Sequence, residues 1–308
     1  HNVDKWLPSH WQVTGLWYEL LSTEAGMSRC TTVSPSGTAG PTQDNLRLRP
    51  LTDQDSEKVQ LALQGNPDDV LFVSLFSIQL VRSKFQSLRP RQWLVDEPIN
   101  IIMEILQERA NAGDRSQFIP SSFFYERLSG GGNGYNYSNI EGQWRPLQPL
   151  RKGAGWPVDY KIFMPINVGN WHWVLGEIDF PSRKINVYDH SKIKQVNGLE
   201  FVRVLCKWIK DEANSKGHVF DINEWTTTIN PENTPEQTNG FDCGVFVCTT
   251  AEWLSEGSDL TFSQEDMPHL RKRMALTILR RGEEEHARSG QSQQPNEEVG
   301  GEEEIIMN

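Results

Sequence analysis

Three strand-like segments follow one another with almost no chain between them: Lys161–Asn167, His172–Phe180 and Lys184–Tyr188. Pro181-Ser182 supplies the turn between the last two. Strands spaced this closely pair antiparallel, because a parallel return needs a crossover of about a dozen residues or more. Helical patterns lie on both sides. Pro98 followed by Ile99, Ile102, Met103, Ile105 and Leu106 gives apolar 3–4 spacing, with Gly113 after its end. Leu199–Asn214 carries Phe201, Val202, Leu205, Trp208 and Ile209 on one face. Cys243–Leu254 and Ser263–Arg281 read as two more helices, and Val219–Ile229 as another strand. A meander enclosed by helices is an α+β domain. Residues 70–76 (VLFVSLF) add a short apolar run of buried-strand type, and Ser129–Asn139 reads as a flexible loop.

Composition sets the limits of that domain. Residues 1–66 form an extension with a Trp-rich start (Trp6, Trp11, Trp17) and a Ser/Gly/Thr/Pro-rich linker from Ser34 to Pro50. Residues 67–282 are the globular part. From Glu283 to Asn308 there are eight acids against Arg288, so this stretch accounts for −7 of the chain's net charge of −11. With few apolar residues to offset its ordering entropy, 283–308 reads as a disordered acidic tail. The acidity argues against nucleic-acid binding, which needs clustered Lys and Arg. No apolar run approaches the ~20 residues that span a bilayer, and there is no basic-then-apolar leader, so no membrane partner is expected. Four cysteines in 308 residues are too few for a disulfide scaffold and read as thiols in a reducing compartment.

One of those thiols stands apart. The polar stretch 230–242 (NPENTPEQTNGFD) runs straight into Cys243-Gly244-Val245-Phe246-Val247. A cysteine that opens a helix feels the positive end of the macrodipole, which favours the nucleophilic thiolate. Gly244 leaves room for a substrate backbone. Most free cysteines instead pack as small hydrophobes; Cys206 and Cys248 fit that description, and Cys30 lies in a loop.

A thiol nucleophile needs a base and a group to orient it. His172 opens a strand inside Asn170-Trp171-His172-Trp173, and Asp189 ends the next strand. A hairpin places both at the same end of the sheet. His190 is a competing partner, whereas His218 and His269 have no distinctive context and His1, His10 and His286 fall in regions of poor order. Gln237, six residues before Cys243, can aim a carboxamide N–H at a developing oxyanion together with the Cys243 backbone N–H. This set calls for no metal and no cofactor.

Gln237-x-Asn239-x-x-Asp242-Cys243-Gly244-Val245-Phe246, His172-Trp173 and Tyr188-Asp189, in the order His, Asp, Gln, Cys, resemble the ubiquitin-like-protein proteases. This is the Ulp/SENP family of SUMO and NEDD8 proteases; papain-type enzymes place Gln and Cys before His. Trp93-Leu94-x-Asp96-x-x-Ile99-Asn100 is similar to the family's substrate-binding signature, and Ser122-Phe123-Phe124 to its following core motif. The resemblance covers about residues 70–282. It implies a papain-like superfold, with a central mixed or antiparallel sheet flanked by helices and the catalytic cysteine at a helix N-terminus. Cys243 would be the nucleophile, His172 the general base and acid, Asp189 its orienter and Gln237 an oxyanion-hole donor. Trp93 and Trp173 would roof and floor a tunnel for the modifier's Gly-Gly tail, and Asp96 would contact the modifier. Asn239, Asp242 and Gly244 join them as substrate-binding residues. The chain departs from the family at His190, where Ser is usual, at Val95, where Asn is frequent, and at Gly130–Gly134, an insertion.

The function expected on this basis is that of a monomeric thiol isopeptidase and processing protease. It cleaves after the diglycine of a ubiquitin-like modifier, SUMO first, inside the cell in nucleus or cytoplasm, or in a host cell if the chain is a bacterial effector. Alternatives are a NEDD8- or ubiquitin-directed isopeptidase, a clan-related acetyltransferase effector, and a modifier-binding module with a vestigial triad. The tryptophan pair argues against the transferase, and Gln237 against the module. Arg82, Lys84, Arg89 and Arg91 suggest a docking patch for acidic side chains of the modifier.

Overall fold

The computed structural model describes residues 47–143, 159–193 and 196–291. Helix α1 (Asp53–Leu63) leads into a hairpin of β1 (Val70–Leu75) and β2 (Ile78–Val81), followed by the one-turn helix α2 (Arg82–Phe85) and the long α3 (Asp96–Ala112). After β3 (Gln117–Phe118) and α4 (Phe123–Leu128) come β4 (Lys161–Val168), β5 (His172–Asp179) and β6 (Lys184–Tyr188). Helix α5 (Gly198–Ser215), β7 (Thr226–Ile229), α6 (Cys243–Ser255) and α7 (Met267–Gln291) complete the order.

The expected meander is the centre of a five-stranded sheet, in the order β3-β4-β5-β6-β7. Its middle pairs are antiparallel, with Leu175 opposite Tyr188 and Val168 opposite His172, while β3 and β7 add parallel edges. The sheet is therefore mixed. Side chains alternate across it with period two, so each strand feeds two cores. Phe163, Trp173, Leu175 and Tyr188 join α3, α6 and α7 on one face. Ile162, Met164, Val174, Ile178 and Ile185 meet α4 and α5 on the other. Helix α5 comes so close that a Cβ on Gly176 would meet Leu205 Cδ1 at 3.0 Å. Helix α6 has apolar side chains all round and lies inside the molecule, with Val245, Phe246, Val247 and Trp253 fully buried.

Several elements differ from the sequence reading. VLFVSL is the outer strand of a two-stranded hairpin: only Leu75 is buried and Val73 is 77% exposed, so an apolar run mimicked a core strand. The segment after α4 is ordered, because Tyr135 and Tyr137 hydrogen-bond Asp211 and Glu212 of α5 at 2.8 and 2.6 Å. Of residues 219–229 only Thr226–Ile229 form a strand; Asp221 accepts from Asn223 N and starts a short 3₁₀ turn. Helix α1, placed in the extension by the sequence, packs Val59 into the first core. Its N-terminus is capped by Thr52, which accepts from Asp55 N at 3.1 Å. Helix α7 runs nine residues past the expected end of the globular part at 282, and Arg281 bonds both Glu108 and Glu285. The Trp-rich start and residues 292–308 lie outside the described residues.

The basic cluster also takes a different role. Arg82 Nη1 and Arg89 Nη2 donate to the Ala62 and Leu63 carbonyls at the end of α1, and Lys84 pairs with Glu97 at 3.2 Å. Cations on the last carbonyls of a helix are where its dipole favours them. Three of the four cations thus have partners within the fold.

Candidate active site

The turn between β4 and β5 fixes where the site begins. Gly169 and Asn170 both take positive φ (57° and 61°), and Asn170 N donates to Asn167 Oδ1 at 2.9 Å. Gly and Asn are the residues that tolerate this backbone at low cost. The chain then enters β5 at His172, whose ring is stacked by Trp171 with centroids 5.6 Å apart. Asp189 directly follows β6, and antiparallel pairing of β5 with β6 brings it to His172 as the hairpin argument required. Imidazole Nε2–H donates to Asp189 Oδ1 at 2.7 Å, and both residues are buried.

Asp189 is itself held from several sides. Oδ1 also accepts from Ser191 N at 3.1 Å, Oδ2 accepts from Val196 N at 3.2 Å, and its own N–H donates to Asn230 Oδ1 at 2.7 Å. With Nε2 carrying the proton, Nδ1 is the basic nitrogen of the neutral ring. Burial alone lowers the His172 pKa, but the Asp189 carboxylate and the Cys243 sulfur, through hydrogen bonding and charge, raise it to about 9.

Cys243 is the first residue of α6, and its backbone N–H is among the four that a helix leaves without an internal acceptor. The other described thiols are unsuited to attack: burial pushes Cys206 up to about 12 and raises Cys248 further. Gln237 reaches the site through a parallel bridge to Ser191. Its Nε2 donates to the Asn239 carbonyl at 2.7 Å and lies 3.4 Å from Asn239 Oδ1. Its Oε1 is buried and has no hydrogen-bond partner among the described residues, an arrangement that costs about 1–3 kcal/mol.

Trp173 reaches the segment that holds Trp93. Trp173 is buried and its Nε1 donates to the Leu94 carbonyl at 3.1 Å, while Trp93 is 49% exposed. Gly244 is close to Leu94: an added Cβ would meet Leu94 Cβ at 2.8 Å and Ile99 Cδ1 at 3.2 Å. The absent side chain of Gly244 thus admits Leu94, which carries Trp93, rather than a substrate backbone.

Asn239 and Asp242 likewise serve the loop. Asn239 Oδ1 accepts from Phe241 N and Asp242 N, both at 3.1 Å, and its Nδ2 donates to Asp242 Oδ2 at 2.6 Å. Asp242 is buried and paired with Arg271 at 2.6 Å, with Gln264 Nε2 on its second oxygen at 2.9 Å. Their polar atoms are engaged within the protein, where they hold the loop that leads into Cys243. Asp96 is half-buried and accepts from Ser122 Oγ at 2.8 Å, tying α3 to the start of α4. His190 does not compete for Asp189; its Nδ1 is on the Pro235 carbonyl at 2.8 Å.

Arg271 is the residue that sequence reasoning missed. One guanidinium bonds Asp242 and the carbonyls of Ser87, Arg89, Gln92 and Phe241 at 2.7–3.1 Å. It joins the segment before Trp93 to the loop before Cys243. A signal was present: Leu270, Met274 and Ile278 mark a buried stripe of α7, and an arginine beside it must be paired. Among the described residues no group of three His, Cys, Asp or Glu side chains stands close enough to hold a metal, and no helix is long and apolar enough to cross a membrane.

The raised His172 pKa has a stability consequence with a definite sign. Above the ordinary value of 6.5 and up to about 9, the native state holds a proton that the unfolded chain has lost. Stability therefore falls as pH rises through that window and is retained below 6.5. Thermal melting at pH 6.5, 7.5 and 9 should show a declining Tm that is flattened in His172→Asn. An identical slope in the variant would refute the assignment.

Comparison with known proteins agrees with this geometry. The Ulp1 protease family, C-terminal catalytic domain, matches residues 92–285. Ubiquitin-like-specific protease 1A of Arabidopsis thaliana is 32% identical over 75% of this chain and 45% of its own length. Human sentrin-specific protease 2 is 31% identical over 75% of this chain and 37% of its own. The chain thus spans less than half the length of these two relatives. Among solved structures, the C-terminal Ulp1 protease domain in complex with Smt3, the yeast ortholog of SUMO, superimposes with TM-score 0.61. It is 26% identical, covering 76% of this chain and 97% of that one. A Chaetomium thermophilum Ulp1-like SUMO protease catalytic domain gives the same TM-score and identity over 75% of this chain and 90% of its own. Since the family match takes in more than half of the residues, sheet, helices and candidate site included, the chain belongs to the Ulp1 protease family.

Proposed function

We propose that the chain is a cysteine protease and isopeptidase that cleaves after the C-terminal diglycine of a ubiquitin-like modifier, SUMO first. The observation that carries this reading is the 2.7 Å His172–Asp189 bond beside a thiol that opens a buried helix. His172 Nδ1 takes the thiol proton, and the thiolate attacks the carbonyl carbon of the terminal glycine. The resulting oxyanion accepts from the Cys243 backbone N–H and from an N–H of Gln237 Nε2, which gives up its long 3.4 Å contact with Asn239 Oδ1. His172 then gives its proton to the leaving amine, which departs and leaves a thioester on Cys243. A water deprotonated by His172 hydrolyses that thioester, releasing the modifier and restoring the thiol.

Trp93 and Trp173 support the diglycine preference, since a channel between two indoles admits residues without side chains. The relatives' names and the Smt3-bound neighbour support SUMO as the modifier. The enzyme acts as a monomer inside the cell, in nucleus or cytoplasm, on modifier conjugates and precursors.

The test is hydrolysis of C-terminal fluorogenic conjugates of SUMO, NEDD8 and ubiquitin under one set of conditions. The SUMO conjugate should show the highest kcat/KM. Faster turnover of NEDD8 or ubiquitin overturns the choice of modifier but keeps the protease. No turnover of any of them overturns both.

A further inference from the structure

The mechanism leaves one buried imidazole unused. His190 is next to Asp189, with its ring packed between Tyr188 (centroids 6.4 Å apart) and Phe246 (4.9 Å). Its Nδ1 is 2.8 Å from the Pro235 carbonyl, which can only accept, so Nδ1 carries the proton. Its Nε2 is 2.9 Å from Thr250 Oγ1, so the neutral ring accepts there from the hydroxyl. Burial holds the ring neutral by lowering its pKa to about 4. The His190 backbone carbonyl accepts the Gln237 N–H at 2.7 Å.

This one residue thus bonds Pro235 and Gln237, on either side of Glu236, and Thr250, two turns along the helix that Cys243 opens. The Gln237 carboxamide has its own hydrogen bond only through Nε2, to Asn239. Where it stands relative to Cys243 is therefore set by how the backbone of residues 235–237 is held. A serine, the residue the family resemblance leads one to expect here, is too short to reach both the Pro235 carbonyl and Thr250.

We propose that His190 is a positioning residue that fixes Gln237 against Cys243 by bridging the Pro235 carbonyl to the Thr250 hydroxyl. This rests on the reading of Gln237 as an oxyanion donor. Loss of the bridge lets the carboxamide drift, and displacements of about 1 Å at such a site cost up to ~10²-fold in rate.

A kinetic double-mutant cycle tests it, with the fluorogenic SUMO substrate and melting curves to confirm folding. Gln237→Ala should lower kcat by about 10²-fold, the scale of one oxyanion donor. His190→Ser should lower kcat by roughly 10-fold with KM unchanged, and should cause no further loss in the Gln237→Ala background. His190→Asn, which keeps a donor near the Nδ1 position and so the Pro235 end of the bridge, should recover part of the rate lost in His190→Ser; His190→Gln should not. Additive losses in the double variant, a change confined to KM, or equal rates for the Asn and Gln variants would overturn the proposal. If Gln237→Ala alone leaves kcat intact, the oxyanion reading fails and takes this role of His190 with it. That outcome is distinct from additivity, in which Gln237 matters and His190 acts separately.

Discussion

In the Cys243→Ala variant, kcat is expected to fall by on the order of 10⁶-fold, the scale seen when the nucleophile of a triad is removed. His172 and Asp189 keep their 2.7 Å hydrogen bond in that variant, but no atom remains to form the thioester. Neither remaining described thiol can substitute, because burial raises the pKa of both Cys206 and Cys248. The change removes one buried sulfur at a helix start together with its hydrogen bond to His172, so Tm should move by only a few degrees. Steady-state kinetics beside a melting curve decide it. A loss below tenfold, with Tm unchanged, would place the nucleophile elsewhere.

The second large effect is on stability. Arg271→Met should cost about 3–5 kcal/mol, because removing one partner of a buried ion pair strands the other. Asp242 would keep Asn239 and Gln264 but lose its cation, and the carbonyls of Ser87, Arg89, Gln92 and Phe241 would lose a shared donor. Replacing Asp242 as well, in Arg271→Met/Asp242→Leu, should recover part of the loss, since the stranded charge is gone. Urea unfolding gives both numbers. A cost below 1 kcal/mol for the single variant would mean that Arg271 is not the tie between the Trp93 segment and the Cys243 loop.

The triad was legible because each member sits at an element boundary that the sequence marks. His172 follows a Gly-Asn turn, Asp189 ends a strand, and Cys243 follows a polar loop; antiparallel pairing then determines their meeting. The sheet's centre was legible for the same reason, since alternation and short turns leave one pairing. The roles of Asn239, Asp242 and Gly244 were not. Their spacing around Cys243 is compatible with substrate contact, and only the arrival of Arg271 from α7 and Leu94 from the segment before α3 shows what they face in the protein. Those contacts join parts of the chain distant in sequence, where periodicity carries no information. Residues 70–76 were misread because apolar composition does not reveal whether a strand has a partner sheet on its outer side. Tyr135 and Tyr137 were passed over in a glycine-rich stretch, although two phenols so placed are candidates to reach acceptors on a helix.

Reaction of the protein with SUMO bearing a C-terminal electrophile, followed by peptide mapping, addresses the central claim directly. One adduct per chain at Cys243, absent in Cys243→Ala and much slower in His172→Ala, is the expected result. Labelling at another cysteine, or none while SUMO still binds, would contradict it.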